Sequence, residues 1–217
     1  VKLAKKDFRF IGISEDKINN LFYTSIVNKS NNINCHKDNN LTTFLYVGEL
    51  SSRKGIKELL IACSKLQKNK WGLILVGKDK SNGYYEKLSK ELNLEKHIKF
   101  EGVVKHDKVS SYYERSDVFV FPSKFDGWGA VLNEAISFEL PIISTDETSS
   151  SYTLVKDNGF VVKAGNVEKL KESMQKYIIN KNLLSIHSKE SKKLSNICTP
   201  KSNVERFLNA LNKWTED

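Results

Sequence analysis

The stretch from Val118 to Ala135 reads VFVFPSKFDGWGAVLNEA. Four apolar residues with β-forming side chains begin it, as expected of a strand that is buried on both faces of a parallel sheet. Gly127 and Gly129 then bare the backbone at the start of an apolar helical pattern at 128–138. The stretch therefore predicts a strand, a glycine turn and a helix, which together form the repeating unit of a parallel α/β fold.

The same alternation continues on both sides of this stretch. Strands are predicted at Thr43–Val47, Gly72–Val76, Ile98–Glu101, Val118–Phe121, Pro141–Ser144 and Phe160–Val162. Helices are predicted from about Ile56 to Leu66 and near 83–92, 106–115, 128–138 and 167–179. This order predicts an α/β fold with a doubly wound, mainly parallel sheet flanked by helices. The ligand of such a sheet binds at the carboxyl ends of the strands, so the residues after each strand are the candidates for a site.

The two ends of the chain differ from this pattern. Residues 1–27 form a lead-in, and residues 28–41 are polar and rich in asparagine, which indicates a linker or loop. The alternating elements occupy a domain at 42–198. The helical pattern near the C-terminus breaks at Thr199-Pro200, where proline can begin a new helix, so 199–217 is predicted to form a C-terminal helix.

Composition narrows the class of partner and the compartment. The chain has 35 Lys+Arg against 26 Asp+Glu, a formal charge of +9 that suits an anionic partner, although scattered lysines are also typical of a solvated basic surface. Three cysteines without a C-x-x-C pair argue against a disulfide framework and for a reducing, cytoplasmic compartment. No apolar run reaches the roughly 18–20 residues that cross a bilayer. The chain begins with Val1 rather than methionine, which favours a fragment.

A basic turn follows the first predicted strand, where residues 48–55 read GELSSRKG. Ser51 or Ser52 is expected to cap the next helix. Arg53 and Lys54 then lie beside the positive end of the helix dipole, where cations are disfavoured by roughly 0.3–1 kcal/mol. A bound phosphate would reverse the sign, because helix amides and both cations would converge on one anion. The turn therefore predicts a phosphate site, with an exposed basic turn as the alternative.

Two carboxylates mark the glycine turn and the helix that follows it. Asp126 and Glu134 are eight residues apart, so they are predicted to lie on roughly one helical face, with the small Ala130 between them. Val131 and Leu132 help to make this helix nearly all apolar, and Glu134 needs a partner there. Sugar hydroxyls are suitable, because an ionised carboxylate only accepts hydrogen bonds. The alternative is that Glu134 bonds to neighbouring backbone.

The stretch from Pro122 to Ala135 resembles the signature of the family 4 retaining glycosyltransferases, which have two Rossmann-like domains (the GT-B type). That signature is P-S-x-x-E-G-F-G followed by E-A, and Asp126 and Glu134 take the positions of its two glutamates. Further stretches are similar to G-R-L-x-x-x-K-G at 48–55, F-x-G-x-V at 100–104, A-D-V-F-V-x-P-S at 116–123, N-G-x-x-V at 158–162 and G-I-P-E-E-K-I at 12–18. The resemblance covers about residues 11–180.

This resemblance implies that the basic turn and the end of the third strand hold a nucleotide. Arg53 and Lys54 would hold the donor diphosphate in the turn that Gly48 opens, and the backbone near Val103 would receive the base. The donor would be a UDP- or GDP-linked sugar. Such enzymes usually need no metal ion or cofactor, because fixed cations and a helix terminus stabilise the departing diphosphate. The chain's lack of a D-x-D dyad agrees with that expectation.

The resemblance also implies that the glycine turn holds the sugar. Asp126, the catalytic candidate, would bind hydroxyls of the transferred sugar, and Glu134 would bind the ribose hydroxyls. Phosphate and sugar would also meet the backbone amides of Gly127, Trp128, Gly129, Ala130 and Val131.

Three departures from the family pattern bear on the predicted site and its supporting helix. Glu49 replaces the arginine of G-R-L, which alters the usual pair of cations and leaves Arg53 as the candidate substitute. Asp126 is one methylene shorter than the family's glutamate. Glu139 stands where the family has a glycine at a helix end, at a cost of about 1 kcal/mol if the backbone there is left-handed.

Together these features predict the donor-binding domain of a retaining, metal-independent, hexosyltransferase-type enzyme of polysaccharide biosynthesis, acting on a glycan or lipid-linked acceptor. The family's N-terminal acceptor domain is not in these residues, and 1–27 would be its tail, so the chain alone is expected to be inactive. The intact enzyme would be cytoplasmic, with the inner face of the membrane as a further partner. The alternatives are a non-catalytic nucleotide-sugar-binding module and a nucleotide-sugar epimerase. Nucleic-acid binding is disfavoured, because aromatic and basic residues do not interleave.

Overall fold

The structure, a computed structural model, describes residues 8–14, 18, 24, 41–67 and 70–215. The lead-in at 1–27 and the linker at 28–41 therefore lie almost wholly outside the described residues. Of the lead-in, a short helical turn at 8–10 is described, and Gly12 closes it by donating its N–H to the carbonyl oxygen of Arg9 (3.0 Å).

Six strands form one parallel sheet within the described residues. They are β1 (Thr42–Val47), β2 (Trp71–Val76), β3 (Ile98–Gly102), β4 (Val118–Phe121), β5 (Ile142–Thr145) and β6 (Gly159–Val162). Every predicted strand is confirmed, with ends that differ by at most one residue. All positions of β4 and β5 are buried, as expected of strands whose two faces are both covered.

The strand order is β3-β2-β1-β4-β5-β6, which confirms the doubly wound parallel sheet. β1 pairs with β2 along its whole length and with β4 on its other side, where Phe44 lies opposite Val118. The chain therefore builds outward from β1 in one direction and from β4 in the other. A sheet of this type opens a crevice for ligands at the carboxyl ends of the two strands where the order reverses.

Helices connect the strands and follow the last one. They are α1 (Ile56–Ser64), α2 (Tyr84–Glu91), α3 (His106–Glu114), α4 (Val131–Ser137), α5 (Ser151–Leu154), α6 (Val167–Ile179), α7 (Lys181–Ile197) and α8 (Pro200–Thr215). The β1–β2 and β4–β5 crossovers run in opposite directions along the sheet, so right-handed connections place α1 and α4 on opposite faces. α1 packs beside α2 and α6, and α4 packs beside α7. The predicted break before Pro200 is confirmed.

The core is centred on the two strands that border the crevice. Phe44, Leu45 and Tyr46 of β1 are fully buried, as are Phe119 and Val120 of β4. Buried side chains in a close-packed interior leave these strands little freedom. The turns that follow β1 and β4 therefore start from fixed positions.

Two predictions about helix N-termini are wrong, the first residue of α4 and the capping residue of α1. Helix α4 begins at Val131 rather than at 128, because Gly129 has a left-handed backbone with φ +78°, which does not fit inside a helix. Helix α1 is preceded by Gly55, also left-handed with φ +72°, so neither Ser51 nor Ser52 caps it.

The left-handed backbone considered for Glu139 is confirmed, with φ +62°. Helix α7 supports this residue on two sides. Ser188 Oγ donates to the Glu139 carbonyl oxygen (2.8 Å), and Lys192 Nζ pairs with the Glu139 carboxylate (3.1 Å). These contacts offset part of the cost of about 1 kcal/mol that a side chain adds at a left-handed position.

Candidate functional site

The turn after β1 places Arg53 and Lys54 at the carboxyl edge of the sheet. They end a single 3₁₀ turn, Ser52–Lys54, just before α1. A methyl group built on Gly55 would lie only 2.1 Å from the carbonyl oxygen of Pro122. The turn after β1 therefore lies directly against the turn after β4. At position 55 only glycine permits such a close approach.

The backbone at the start of this turn is fixed by hydrogen bonds. Gly48 N–H donates to the carbonyl oxygen of Val76 (2.9 Å), and Tyr46 Oη donates to that of Glu49 (2.8 Å). Burial, followed by the negative charges of Asp126 and Glu49, raises the pKa of the Tyr46 hydroxyl. Tyr46 therefore keeps its proton and continues to donate to the Glu49 carbonyl oxygen. Because this bond is made to the backbone, it does not depend on which side chain stands at position 49.

Lys54 and Asp126 form an ion pair across the two turns, with side chains only 12% and 15% exposed. Lys54 Nζ also lies 4.9 Å from the centre of the Phe121 ring, within the range of a cation–π contact. From the sequence, Lys54 was predicted to hold the diphosphate of the donor and Asp126 its sugar. The structure brings them together at one point.

Arg53 is exposed, and the next turn holds its guanidinium. Arg53 Nη1 donates to the carbonyl oxygen of Phe125 (2.9 Å), which also accepts from the buried Ser123 Oγ (3.0 Å). In return, Lys124 N–H donates to the Arg53 carbonyl oxygen (2.8 Å). The Lys124 ammonium pairs with Glu58 of α1 (2.6 Å). Arg53 and Lys54 thus provide one exposed and one largely buried cation beside Asp126.

Residues 126–129 form a turn rather than the first turn of a helix. Trp128 N–H donates to Asp126 Oδ1 (3.2 Å), and Asp126 N–H donates to the carbonyl oxygen of Glu147 (2.9 Å). The prediction that Asp126 and Glu134 share a helical face is therefore wrong, because only Glu134 lies on α4. Asp126 belongs instead to the turn that contacts Lys54.

The backbone of this turn differs in accessibility from residue to residue. A methyl group on Gly127 would meet nothing within 4 Å, whereas one on Gly129 would lie 2.7 Å from Thr148 Cγ2. The indole Nε1 of Trp128 donates to Asn133 Oδ1 of α4 (3.0 Å). Ala130 is the N-cap of α4, which begins at Val131. The turn is thus open at Gly127 and anchored at Trp128 and Gly129.

Glu134 has a partner that sequence analysis did not consider. Tyr113 Oη, from the last turn of α3, donates to Glu134 Oε2 (2.8 Å). Burial, followed by the Glu134 charge, raises the pKa of Tyr113 well above its ordinary value, so the hydroxyl remains a donor. The two partners considered for Glu134 from the sequence were a sugar hydroxyl and neighbouring backbone, and neither is this tyrosine. No local pattern links residues 21 positions apart on different helices.

The end of β5 and the turn after it support the glycine turn, and this role was not predicted from the sequence. Thr145 Oγ1 donates to the carbonyl oxygen of Ser123 (2.5 Å), and Ser149 and Ser150 donate their N–H groups to the carbonyl oxygens of Asp126 (3.3 Å) and Trp128 (3.1 Å). The hydroxyl-rich sequence TDETSS at 145–150, just after a predicted strand, was the available signal.

Val103 lies just beyond β3 at the same carboxyl edge of the sheet and is 75% exposed. Its neighbour Gly102 is left-handed, with φ +66°. β3 is the edge strand and stands two places from β1 in the sheet order. An exposed apolar residue at this point offers a surface on which a flat ring can pack.

Residues 29–194 match the family described as Glycosyl transferases group 1. The chain belongs to this family. It is 32% identical over 157 residues to an uncharacterized glycosyltransferase of Haemophilus influenzae, a match that covers 70% of this chain and 44% of the relative. It is 31% identical over 150 residues to the capsular polysaccharide biosynthesis glycosyltransferase CapM of Staphylococcus aureus, with 64% and 37% covered.

Among solved structures, sucrose-phosphate synthase from Thermosynechococcus elongatus aligns with a TM-score of 0.70 at 23% identity, over 81% of this chain and 46% of that one. This likeness shows the fold, the Rossmann-like fold of GT-B glycosyltransferases. The chain spans less than half the length of the curated relatives it matches.

No described helix is long and apolar enough to cross a bilayer. No cluster of three or more His, Cys, Asp or Glu side chains among the described residues could hold a metal ion.

Proposed function

We propose that this chain is the donor-binding, C-terminal domain of a family 4 retaining glycosyltransferase. The enzyme moves a hexose from a UDP- or GDP-linked donor to a glycan or lipid-linked acceptor in polysaccharide biosynthesis. The observation that carries the proposal is the Lys54–Asp126 ion pair, flanked by Arg53, at the carboxyl ends of β1 and β4. This is the place where a doubly wound sheet binds its ligand, and family membership supports the reaction class.

Lys54 is proposed to join the diphosphate to the sugar site. An ammonium group has three donors, so Lys54 can hold Asp126 and phosphate oxygens at the same time. Arg53 adds a second cation that can bind phosphate through two parallel hydrogen bonds. As the bond between the sugar and the diphosphate breaks, negative charge grows on the leaving oxygen. Both cations stabilise that charge without a metal ion.

Asp126 is proposed to position the sugar. A carboxylate has about four acceptor sites, so Asp126 can accept sugar hydroxyls while it contacts Lys54 and the Trp128 amide. The open backbone at Gly127 lets a ligand approach the turn closely. Holding the sugar beside the leaving diphosphate lowers the entropic part of the barrier, which gives Asp126 a role in turnover as well as in binding.

Glu134 and Val103 are proposed to bind the nucleoside. Glu134 accepts hydrogen bonds from the ribose hydroxyls, and the exposed residues around Val103 receive the base. The backbone of Gly127, Trp128, Gly129, Ala130 and Val131 faces the phosphate and the sugar. Gly48 keeps the start of the basic turn close to β2.

We further propose the division of the chain into a nucleotide-sugar-binding domain at 42–198 and a C-terminal helix at 199–217. The acceptor is bound by an N-terminal domain, whose tail is residues 1–27. The span of less than half of the curated relatives supports this second domain. The chain alone then binds the donor but turns it over negligibly. The intact enzyme works in the cytoplasm, at the inner face of the membrane.

Calorimetric titration of the 217-residue chain with UDP, GDP, ADP and their nucleosides tests the proposal. One nucleoside diphosphate, UDP or GDP, is expected to bind at least about tenfold more tightly than its nucleoside, because phosphate adds charge-assisted contacts. Binding of none of the three diphosphates would contradict a donor site. Sugar transfer by the intact enzyme, rather than isomerisation of the donor, separates the proposal from an epimerase.

A further inference from the structure

The contact between Tyr113 and Glu134 joins two helices on one face of the sheet. Tyr113 is 1% exposed, and its hydroxyl is 2.8 Å from Glu134 Oε2. Glu134 lies in the first turn of α4 and is half-buried. A half-buried carboxylate in an apolar helix has few positions in which it keeps hydrogen bonds, and Tyr113 selects one of them.

The tyrosine ring is itself held firmly. It stacks on Phe138, with ring centres 5.1 Å apart and planes within 2°, and it packs against Phe119 of β4 at 5.7 Å. Just after α3, the helix that carries Tyr113, Ser116 N–H donates to the Tyr113 carbonyl oxygen (3.2 Å). The hydroxyl is therefore fixed by the core on one side and can orient the Glu134 carboxylate on the other.

Tyr113 donates one hydrogen bond to the Glu134 carboxylate, which can accept about four. Glu134 therefore keeps acceptor capacity for further donors. Two adjacent hydroxyls on one sugar ring present a pair of donors that a single oriented carboxylate can accept together. A carboxylate that rotates freely would lose that match and would bind the pair more weakly.

We infer that Tyr113 is a positioning residue that orients Glu134 toward the 2′ and 3′ hydroxyls of the donor ribose. This inference rests on the proposed function, since it assumes that Glu134 meets a ribose. Tyr113 acts only through Glu134. Its removal should therefore reduce the contribution of the ribose hydroxyls to binding and leave the rest of the nucleotide's affinity unchanged.

The matched control is the neighbouring tyrosine. Tyr112 Oη donates to Glu101 (3.1 Å), and the Arg115 guanidinium lies over the Tyr112 ring. The change Tyr112→Phe removes the same atom one residue away without touching Glu134. The change Tyr113→Phe keeps the ring that stacks on Phe138.

The test measures the affinity of UDP and GDP and of their 2′,3′-dideoxy forms. The ratio of the two affinities for each nucleotide gives the factor by which a chain prefers the ribose form. The proteins are the wild-type chain, Tyr112→Phe, Tyr113→Phe, Glu134→Gln and the double variant Tyr113→Phe/Glu134→Gln. Wild type and Tyr112→Phe are expected to prefer the ribose form by the same factor. Tyr113→Phe should lower that factor by about fivefold or more, with dideoxy binding unchanged, and should add little to Glu134→Gln.

Three results would overturn the inference. One is equal ribose preference in Tyr113→Phe and wild type, and another is equal loss of affinity for both forms, which marks a structural role. The third is a wild-type chain that binds diphosphate without any ribose preference; there the donor site stands and only the role of Glu134 fails. Absence of all nucleotide binding refutes the proposed function itself.

If Tyr113→Phe does not fold, ¹³C-tyrosine spectra of the wild-type chain give a second measurement. The Tyr113 signal is identified as the one that moves most in Glu134→Gln. It should shift when the ribose form of the bound nucleotide is added and much less with the dideoxy form. Equal shifts with both forms contradict the inference.

Discussion

Lys54 of the turn after β1 and Asp126 of the turn after β4 form a largely buried ion pair at the carboxyl edge of the sheet. The two residues are 72 positions apart in the chain, and they meet because their strands are neighbours at the point where the strand order reverses. Partial burial weakens the screening of the pair by water. The charges that the proposed mechanism needs for diphosphate and sugar are thus held in contact by the sheet.

Replacing both cations tests the diphosphate site. Arg53→Ala combined with Lys54→Ala should weaken diphosphate binding much more than nucleoside binding, since a hydrogen bond to a charged group contributes roughly 1.5–3 kcal/mol. Lys65→Ala is the matched control, because Lys65 pairs with Glu168 in an exposed position on the α1–α6 side. Calorimetry measures both ligands, and equal losses for nucleoside and diphosphate would show that the two cations have only a structural or peripheral role.

The close approach of the two turns predicts a strong effect of one methyl group. Gly55→Ala should lower the free energy of unfolding by about 3 kcal/mol or more, because the new methyl would collide with the Pro122 carbonyl oxygen as well as strain a left-handed backbone. Gly83→Ala is the control, with a similar φ of +83° and nothing within 4 Å of the added carbon. It should lose only about 1–2 kcal/mol. Urea denaturation compares the two, and similar losses would count against a tight junction between the turns.

The Trp128 indole is predicted to anchor the glycine turn to α4. Trp128→Phe keeps a bulky aromatic ring but removes the hydrogen bond to the buried Asn133 Oδ1. The variant should lose about 1 kcal/mol of stability. A double-mutant cycle with Asn133→Ala in chemical denaturation isolates the pair. A coupling energy near zero would mean that the indole N–H does not hold the turn.

Much of this fold and part of the candidate site can be predicted from the sequence, for separate physical reasons. Buried parallel strands need continuous apolar runs, so β4 and its neighbours stand out locally. The approach of Arg53 and Lys54 to Asp126 follows once the strands are ordered, because parallel strands end at one edge. The edge of the sheet at which these charged residues lie can therefore be predicted from the order of strands and turns, whereas their role in binding a ligand stays a prediction.

The remaining contacts depend on distant partners. The Tyr113 hydroxyl on α3 reaches Glu134 on α4 through the tertiary fold, and no spacing within either helix encodes this contact. The start of α4 was predicted too early because Gly129 permits helical and left-handed backbone alike. In the structure it is left-handed, and Thr148 of the β5 turn leaves no room there for a side chain. Helix capping by Ser51 or Ser52 failed for a related reason, since close packing on Pro122 requires glycine next to the helix.

The most direct measurement of the central claim is a paired titration of wild-type chain and Asp126→Asn with a nucleoside diphosphate and the matching nucleotide sugar. Asparagine keeps an oxygen that can accept from the Trp128 amide, so the turn is preserved while the negative charge is lost. Asp126→Asn should bind the free diphosphate at least as well as wild type, because Lys54 keeps its charge. It should bind the nucleotide sugar about tenfold more weakly, because sugar hydroxyls lose a charged acceptor. Unchanged affinity for the nucleotide sugar, together with an unchanged rate in the intact enzyme, would contradict the assignment of Asp126 to the transferred sugar.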